Sequence, residues 1–130
     1  MRTAINASPD SMKAALKVLG TQKGRRFAVL GSMLELGSHA AEGHRQTGLS
    51  AAAHADAVYL YGQNAADMAA GAREGGMDES NIHIFDSHEA LAAALRAQAQ
   101  PGDALLFKGS RGMKMENAMK LFLGEDVEKA

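Results

Sequence analysis

The chain has 130 residues, 46% hydrophobic and 22% charged, with 14 basic side chains against 15 acidic ones and a formal charge of −1. That is one domain with a single core, and the balanced charge excludes a general polyanion-binding surface such as nucleic acid requires. The lack of cysteine excludes disulfides, thiolate metal sites and a cysteine nucleophile, and the longest apolar runs are too short to span a bilayer.

Strand and helix patterns alternate along the chain. Ser8-Pro9-Asp10-Ser11 opens the first helix, with Ser8 as N-cap and Pro9 at the first helical position. Met12, Ala15, Leu16 and Leu19 form its apolar stripe, and Gly20 is expected just past its end. Phe27 to Leu30 is apolar without alternation, the pattern of a strand buried on both faces. Gly31 to Gly37 reads as a loop, and 38–54 as a helix in which Gly43 and Gly48 each cost ~1 kcal/mol relative to alanine. Ala57 to Tyr61 is the next strand, Gly62 a turn, and Asn64 to Arg73 a helix closed by Gly75-Gly76. Ile82 to Phe85 is a strand, and Asp86-Ser87 begins a helix carrying Leu91, Ala94 and Leu95. After the turn Pro101-Gly102-Asp103 come the strand Ala104 to Phe107 and a last helix from Ser110 to Leu123. Met115, Ala118, Met119 and Phe122 share one face of that helix. Residues 1–124 make the domain, and 125–130 a polar tail.

Strands separated by helices of this length imply right-handed crossovers and a mainly parallel sheet. The expected fold is therefore α/β: a three-layer, Rossmann-like domain with helices on both faces. Ligands on such sheets sit at the carboxyl ends of the strands. The segments 31–37, 62–64 and 108–112 all follow strands, so they should share one rim.

The run Ala104 to Met115, ALLFKGSRGMKM, is a strand, a glycine turn and a helix start. Backbone N–H groups at such a junction point into the crevice. Lys108, Arg111 and Lys114 stand around it, although cations in a first helical turn oppose the helix dipole. A carboxylate or phosphate is the natural guest, with Ser110 capping the helix and Arg111 offering two parallel hydrogen bonds. Histidines 39, 54, 83 and 88 show no metal-ligand spacing among themselves, so no metal site is expected. Nothing signal-like follows Met1-Arg2-Thr3, and the expected location is the cytoplasm.

Four segments occur together and in order: Asn6 to Met12, the loop Val29 to Gly37 with its Met33-Leu34-Glu35-Leu36-Gly37, then Glu42-Gly43-His44, and Phe107 to Arg111. Together they resemble the C-terminal domain of the Mur ligases. The match is nearest to the branch that adds D-alanyl-D-alanine to UDP-N-acetylmuramoyl-tripeptide. The resemblance implies a Rossmann-like domain of a larger ATP- and Mg-dependent amide ligase of peptidoglycan-precursor synthesis. Its partners there would be a central ATPase domain and an N-terminal UDP-sugar domain. It also implies that Asn6, Ser8, Ser32 and His44 meet nucleotide, and that Lys108, Ser110 and Arg111 meet the amino component or another anion. Read from the residues alone, His44 is more readily a helix-surface or packed histidine, and Glu35 is at least as readily a solvated loop carboxylate.

The chain contains no G-x-x-x-x-G-K-[ST], so no catalysis is expected from the domain by itself, and no cofactor is required by it alone. Two positions depart from the family pattern. Ser32 stands where the family usually carries aspartate, and Arg2-Thr3-Ala4-Ile5 replaces an acidic pair and an aromatic residue. The equivalent domain of another Mur ligase or of folylpolyglutamate synthase is a sibling reading. A stand-alone anion- or nucleotide-binding module and an engineered α/β scaffold are the alternatives outside it.

Overall fold

The structure, a computed structural model, describes residues 8–34 and 36–125. Asn6 and Glu35 lie outside the described residues. Four strands, β1 (Arg26–Gly31), β2 (Ala57–Tyr61), β3 (Ile82–Phe85) and β4 (Ala104–Lys108), form one sheet in the order β3-β2-β1-β4. Every pairing is parallel, with Gly31 opposite Tyr61 and Leu30 opposite Lys108. The helices are α1 (Pro9–Gly20), α2 (Ala40–His54), α3 (Ala65–Glu74), α4 (His88–Gln98) and α5 (Met115–Leu123), joined in places by short 3₁₀ turns.

Strand alternation divides the core between two layers of helix. Ala28, Leu30, Val58, Leu60 and Leu106 face Met12, Leu16, Leu19 and Met68, under α1, α2 and α3. Phe27, Val29, Tyr59 and Phe107 face Leu91, Leu95, Met115 and Ala118, under α4 and α5. This is the expected three-layer arrangement, and it explains why β1 is apolar without alternation from Phe27 to Leu30.

Local chemistry starts the helices where the sequence places them. Ser8 accepts a hydrogen bond from Ser11 N (3.2 Å) while Ser11 Oγ accepts one from Ser8 N (2.8 Å), a reciprocal cap. Ser87 Oγ accepts from Ala90 N at 3.0 Å and caps α4.

Three expectations need correction. Gly20 is the last residue of α1 rather than the residue beyond it, and Thr21 follows at φ −87°. The helix expected from residue 38 begins with a 3₁₀ turn, Gly37–His39, before α2. The last helix does not begin at Ser110: a 3₁₀ turn, Arg111–Met113, intervenes, and α5 starts at Met115. Lys114, between turn and helix, has φ 49°, the one non-glycine residue with positive φ among the described residues.

Gly48 carries more than its intrinsic cost. A Cβ there would lie 2.0 Å from Met68 O, and one at Gly71 would lie 1.9 Å from Arg45 O. The two glycines let the backbones of α2 and α3 touch.

Candidate functional site at the carboxyl rim of the sheet

In this topology α2, α3, α4 and α5 each follow a strand, and α1 runs down into β1. All their N-termini therefore lie at the end of the sheet where the strands finish, each contributing partial positive charge.

The loop after β1 and the turn after β4 are bonded directly to each other. Ser110 N donates to Ser32 O (3.1 Å), and Leu34 N donates to Ser110 Oγ (2.7 Å). Ser32 also ties in the turn after β2: its N–H donates to Tyr61 O (3.0 Å), and its Oγ accepts from Asn64 N (3.0 Å). Three strand-end segments, distant in sequence, thus meet at Ser32.

Ser110 was expected to cap the last helix, and the geometry corrects this. Its hydroxyl is taken by Leu34 N, and neither the 3₁₀ turn nor α5 has a side-chain cap. Ser32 and His44, expected to meet a nucleotide, also turn inward, and both are fully buried. His44 Nε2 accepts from Met33 N (2.7 Å), and Nδ1 lies 2.6 Å from Ala40 O. An amide only donates and a carbonyl only accepts, so the ring proton sits on Nδ1 and both nitrogens are occupied. His44 pins the 31–34 segment onto α2, and Ser32 pins it to β2. Ser8 is exposed at the start of α1, its hydroxyl within the cap already described.

The cations behave differently. Lys108 is only 5% exposed, on the sheet face of Leu30 and Leu106, and burial pushes its ammonium below the usual lysine range. Among the described residues no hydrogen bond or ion pair holds that ammonium. Arg111 is exposed, and its guanidinium likewise has no carboxylate among the described residues. Elsewhere Arg25 is held by Asp103, Arg26 by Asp56, Arg45 by Glu42 and Glu74, and Arg73 by Glu79, whereas Arg96 on α4, like Arg111, has no ion pair among the described residues. A desolvated ammonium, a guanidinium without an acid among the described residues and converging helix N-termini are features that favour an anion over a cation.

Beside this junction, a cleft of about 530 Å³ is lined by Tyr61, Gly62, Ile84, Phe85 and Asp86. His88, singled out by no sequence signal, bonds across to the turn after β4. Among the described residues no cluster of His, Cys, Asp or Glu is placed to hold a metal ion, and no helix is long and apolar enough to cross a membrane.

A four-stranded parallel sheet with helices on both faces and its strand-end turns cross-bonded at one rim belongs to the class of Rossmann-like domains. The family profile described as "Mur ligase, glutamate ligase domain" matches residues 3–111, and the chain belongs to that family as a Mur ligase C-terminal domain. It is 37% identical over 120 residues to the UDP-N-acetylmuramoyl-tripeptide--D-alanyl-D-alanine ligase of Bacillus subtilis (strain 168), covering 90% of this chain and 26% of that protein. The ligase of the same name from Treponema pallidum (strain Nichols) is 38% identical over 124 residues, covering 92% and 26%. The MurF ligase from Thermotoga maritima in complex with ADP superposes with a TM-score of 0.80 at 29% identity, covering 94% of this chain and 27% of that one. MurF from Acinetobacter baumannii gives 0.82 at 30% identity, covering the same shares. The chain thus spans about a quarter of the length of these relatives.

Proposed function

We propose that this chain serves as the C-terminal domain of an ATP- and Mg-dependent ligase that adds D-alanyl-D-alanine to UDP-N-acetylmuramoyl-tripeptide in the cytoplasm. Its contribution is to help hold nucleotide and the incoming dipeptide, and to close over a central ATPase domain. An N-terminal UDP-sugar domain completes the enzyme, and this domain alone catalyses nothing. In that reaction ATP phosphorylates a carboxylate and the dipeptide amine attacks the acyl phosphate, so phosphate and carboxylate groups must be held and their charge offset.

The observation that carries the reading is the Ser32–Ser110 junction, which unites the rim segments beside Arg111 and Lys108. Arg111 is suited to a carboxylate or phosphate by its planar donors, and Lys108 by a charge that lacks an acid among the described residues. Ser8 and Asn6 remain proposed contacts with nucleotide. Ser32 and His44 act by shaping the loop on which such a ligand rests. The donor set fits an anion; with no acidic cluster among the described residues, the Mg ion would be held by the other domains.

Titration of the 15N-labelled chain with ADP, ATP and D-alanyl-D-alanine tests this. Amide shifts of Ser32, Gly109, Ser110 and Arg111 should move with nucleotide and with dipeptide, and Arg111→Ala should weaken the response at least fivefold with the fold intact. Equal responses to any phosphate point to a generic anion module. No response at saturating ligand, or binding undiminished by Arg111→Ala, overturns the assignment.

A further inference from the structure

His88 is the first residue of α4, and its ring touches two other parts of the rim. Nε2 lies 2.7 Å from Met113 O, and the ring lies against Tyr61 with centroids 4.6 Å apart and planes tilted by 35°. A carbonyl oxygen only accepts, so Nε2 carries the proton. Met113 closes the 3₁₀ turn that bears Arg111, and the strained Lys114 follows it. The near end of this turn is held at Ser110 by the loop after β1. The far end is held at Met113 by α4. Arg111 and Gly112, between the two anchors, are exposed.

His88 is itself firmly placed. Ser87 caps the helix turn that carries it, and the Tyr61 ring limits its rotation. Tyr61 O in turn accepts the Ser32 N–H, so both anchors of the turn trace back to the end of β2.

We infer that His88 is a positioning residue for Arg111: by donating to Met113 O it fixes the far end of the turn and presents the guanidinium to an anion in one orientation. The inference rests on the reading of that turn as anion-holding. Without the anchor, the far end of the turn is held by the packing of Met113 and Met115 alone, its carbonyl is no longer fixed, and part of the binding free energy goes into ordering the turn.

Three measurements on the 15N-labelled chain test this. A long-range 1H–15N spectrum should show Nε2 of His88 protonated; a bare Nε2 overturns the inference. His88→Phe keeps a ring against Tyr61 but removes the donor, whereas His88→Gln supplies an amide donor. Without ligand, backbone order at Gly112 to Lys114 should fall in His88→Phe and be largely restored in His88→Gln; unchanged order in His88→Phe overturns the inference. Inorganic pyrophosphate, followed by the Arg111 amide, should bind about fivefold more weakly to His88→Phe, the ratio that ~1 kcal/mol corresponds to. For His88→Gln the loss should stay within about twofold. A folded His88→Phe that binds pyrophosphate as wild type does would leave His88 a merely structural residue. If the wild-type chain binds no pyrophosphate, the anion reading fails. The ligand-free order of the turn then decides whether His88 positions it.

Discussion

Replacing Ser110 by alanine separates a link between two loops from a helix cap. In the structure Ser110 Oγ accepts from Leu34 N at 2.7 Å across 76 positions of sequence, and it caps nothing. Removing the acceptor strands a partly buried backbone N–H, which costs ~1–3 kcal/mol; we take about 2. With an unfolding entropy near ~2.1 cal/mol/K per residue, that lowers Tm by about 7 °C for a chain of 130 residues. Urea and thermal unfolding followed by circular dichroism measure the loss, and amide exchange at Leu34 locates it. Ser110→Thr keeps the acceptor and should recover most of the stability. A Ser110→Ala protein within about 0.5 kcal/mol of wild type, with Leu34 exchange unchanged, refutes the cross-loop assignment. Faster exchange confined to Met115 to Ala118 would point back to a cap.

Gly48→Ala should destabilise by about 2 kcal/mol despite alanine's better helix propensity, because the new Cβ meets Met68 O at 2.0 Å and helix backbones cannot yield as a side chain tip does; an unshifted urea midpoint would refute the close approach of α2 and α3. Lys108→Met should stabilise the ligand-free chain by ~1 kcal/mol while abolishing its anion response, since it removes a desolvated charge and keeps the packed stem; a chain that is less stable and binds as before contradicts the reading of Lys108. In acid the carboxylates set the behaviour. Arg25 holds Asp103 below its usual 3.8, and Arg45 and Gln46 bring Glu42 from 4.5 to about 2. The unfolded chain takes up these protons first, so the urea midpoint should fall as pH drops from ~4.5 towards 2. The gap between wild type and Asp103→Asn should close over the same window, and a constant gap would show the Arg25–Asp103 pair to be inert.

The layers were readable because the strands other than β3, which His83 interrupts, are continuous apolar runs, as in Phe27 to Leu30, Ala57 to Tyr61 and Ala104 to Phe107. The meeting of the 31–37 and 108–112 segments on one rim followed from chain order, and the Ser32–Ser110 bond bears it out. The start of the last helix was not readable. Ser110-Arg111-Gly112 has the composition of a helix entry, but the serine hydroxyl is drawn away by Leu34, and Lys114 takes the left-handed conformation instead. Nothing within a few residues of Ser110 announces a partner 76 positions away. His44 and Gly48 were hidden for the same reason. One looks like a helix histidine until Met33 N is found on its ring, and the other like a weak helix position until α3 is set against it.

The rim concentrates features that lower stability. Ser32 and His44 are buried polar side chains, Lys108 is a charge nearly removed from water, and Lys114 adopts a conformation that costs an L-residue ~1–2 kcal/mol. The first two are offset by hydrogen bonds that hold the loop; the ammonium of Lys108 has no such offset among the described residues. Unfavourable groups gathered at one end of an otherwise well-packed domain are characteristic of a place shaped for a ligand. An anion seated between Lys108 and Arg111 would reverse part of the cost, since its charge would return the Lys108 ammonium towards its ordinary range. By linkage it would then stabilise the folded chain in proportion to its occupancy. Arg111 alone, already in water, would bind such an anion with little coupling to folding. A rise in stability with anion concentration that is lost in Lys108→Met would therefore trace the coupling to Lys108.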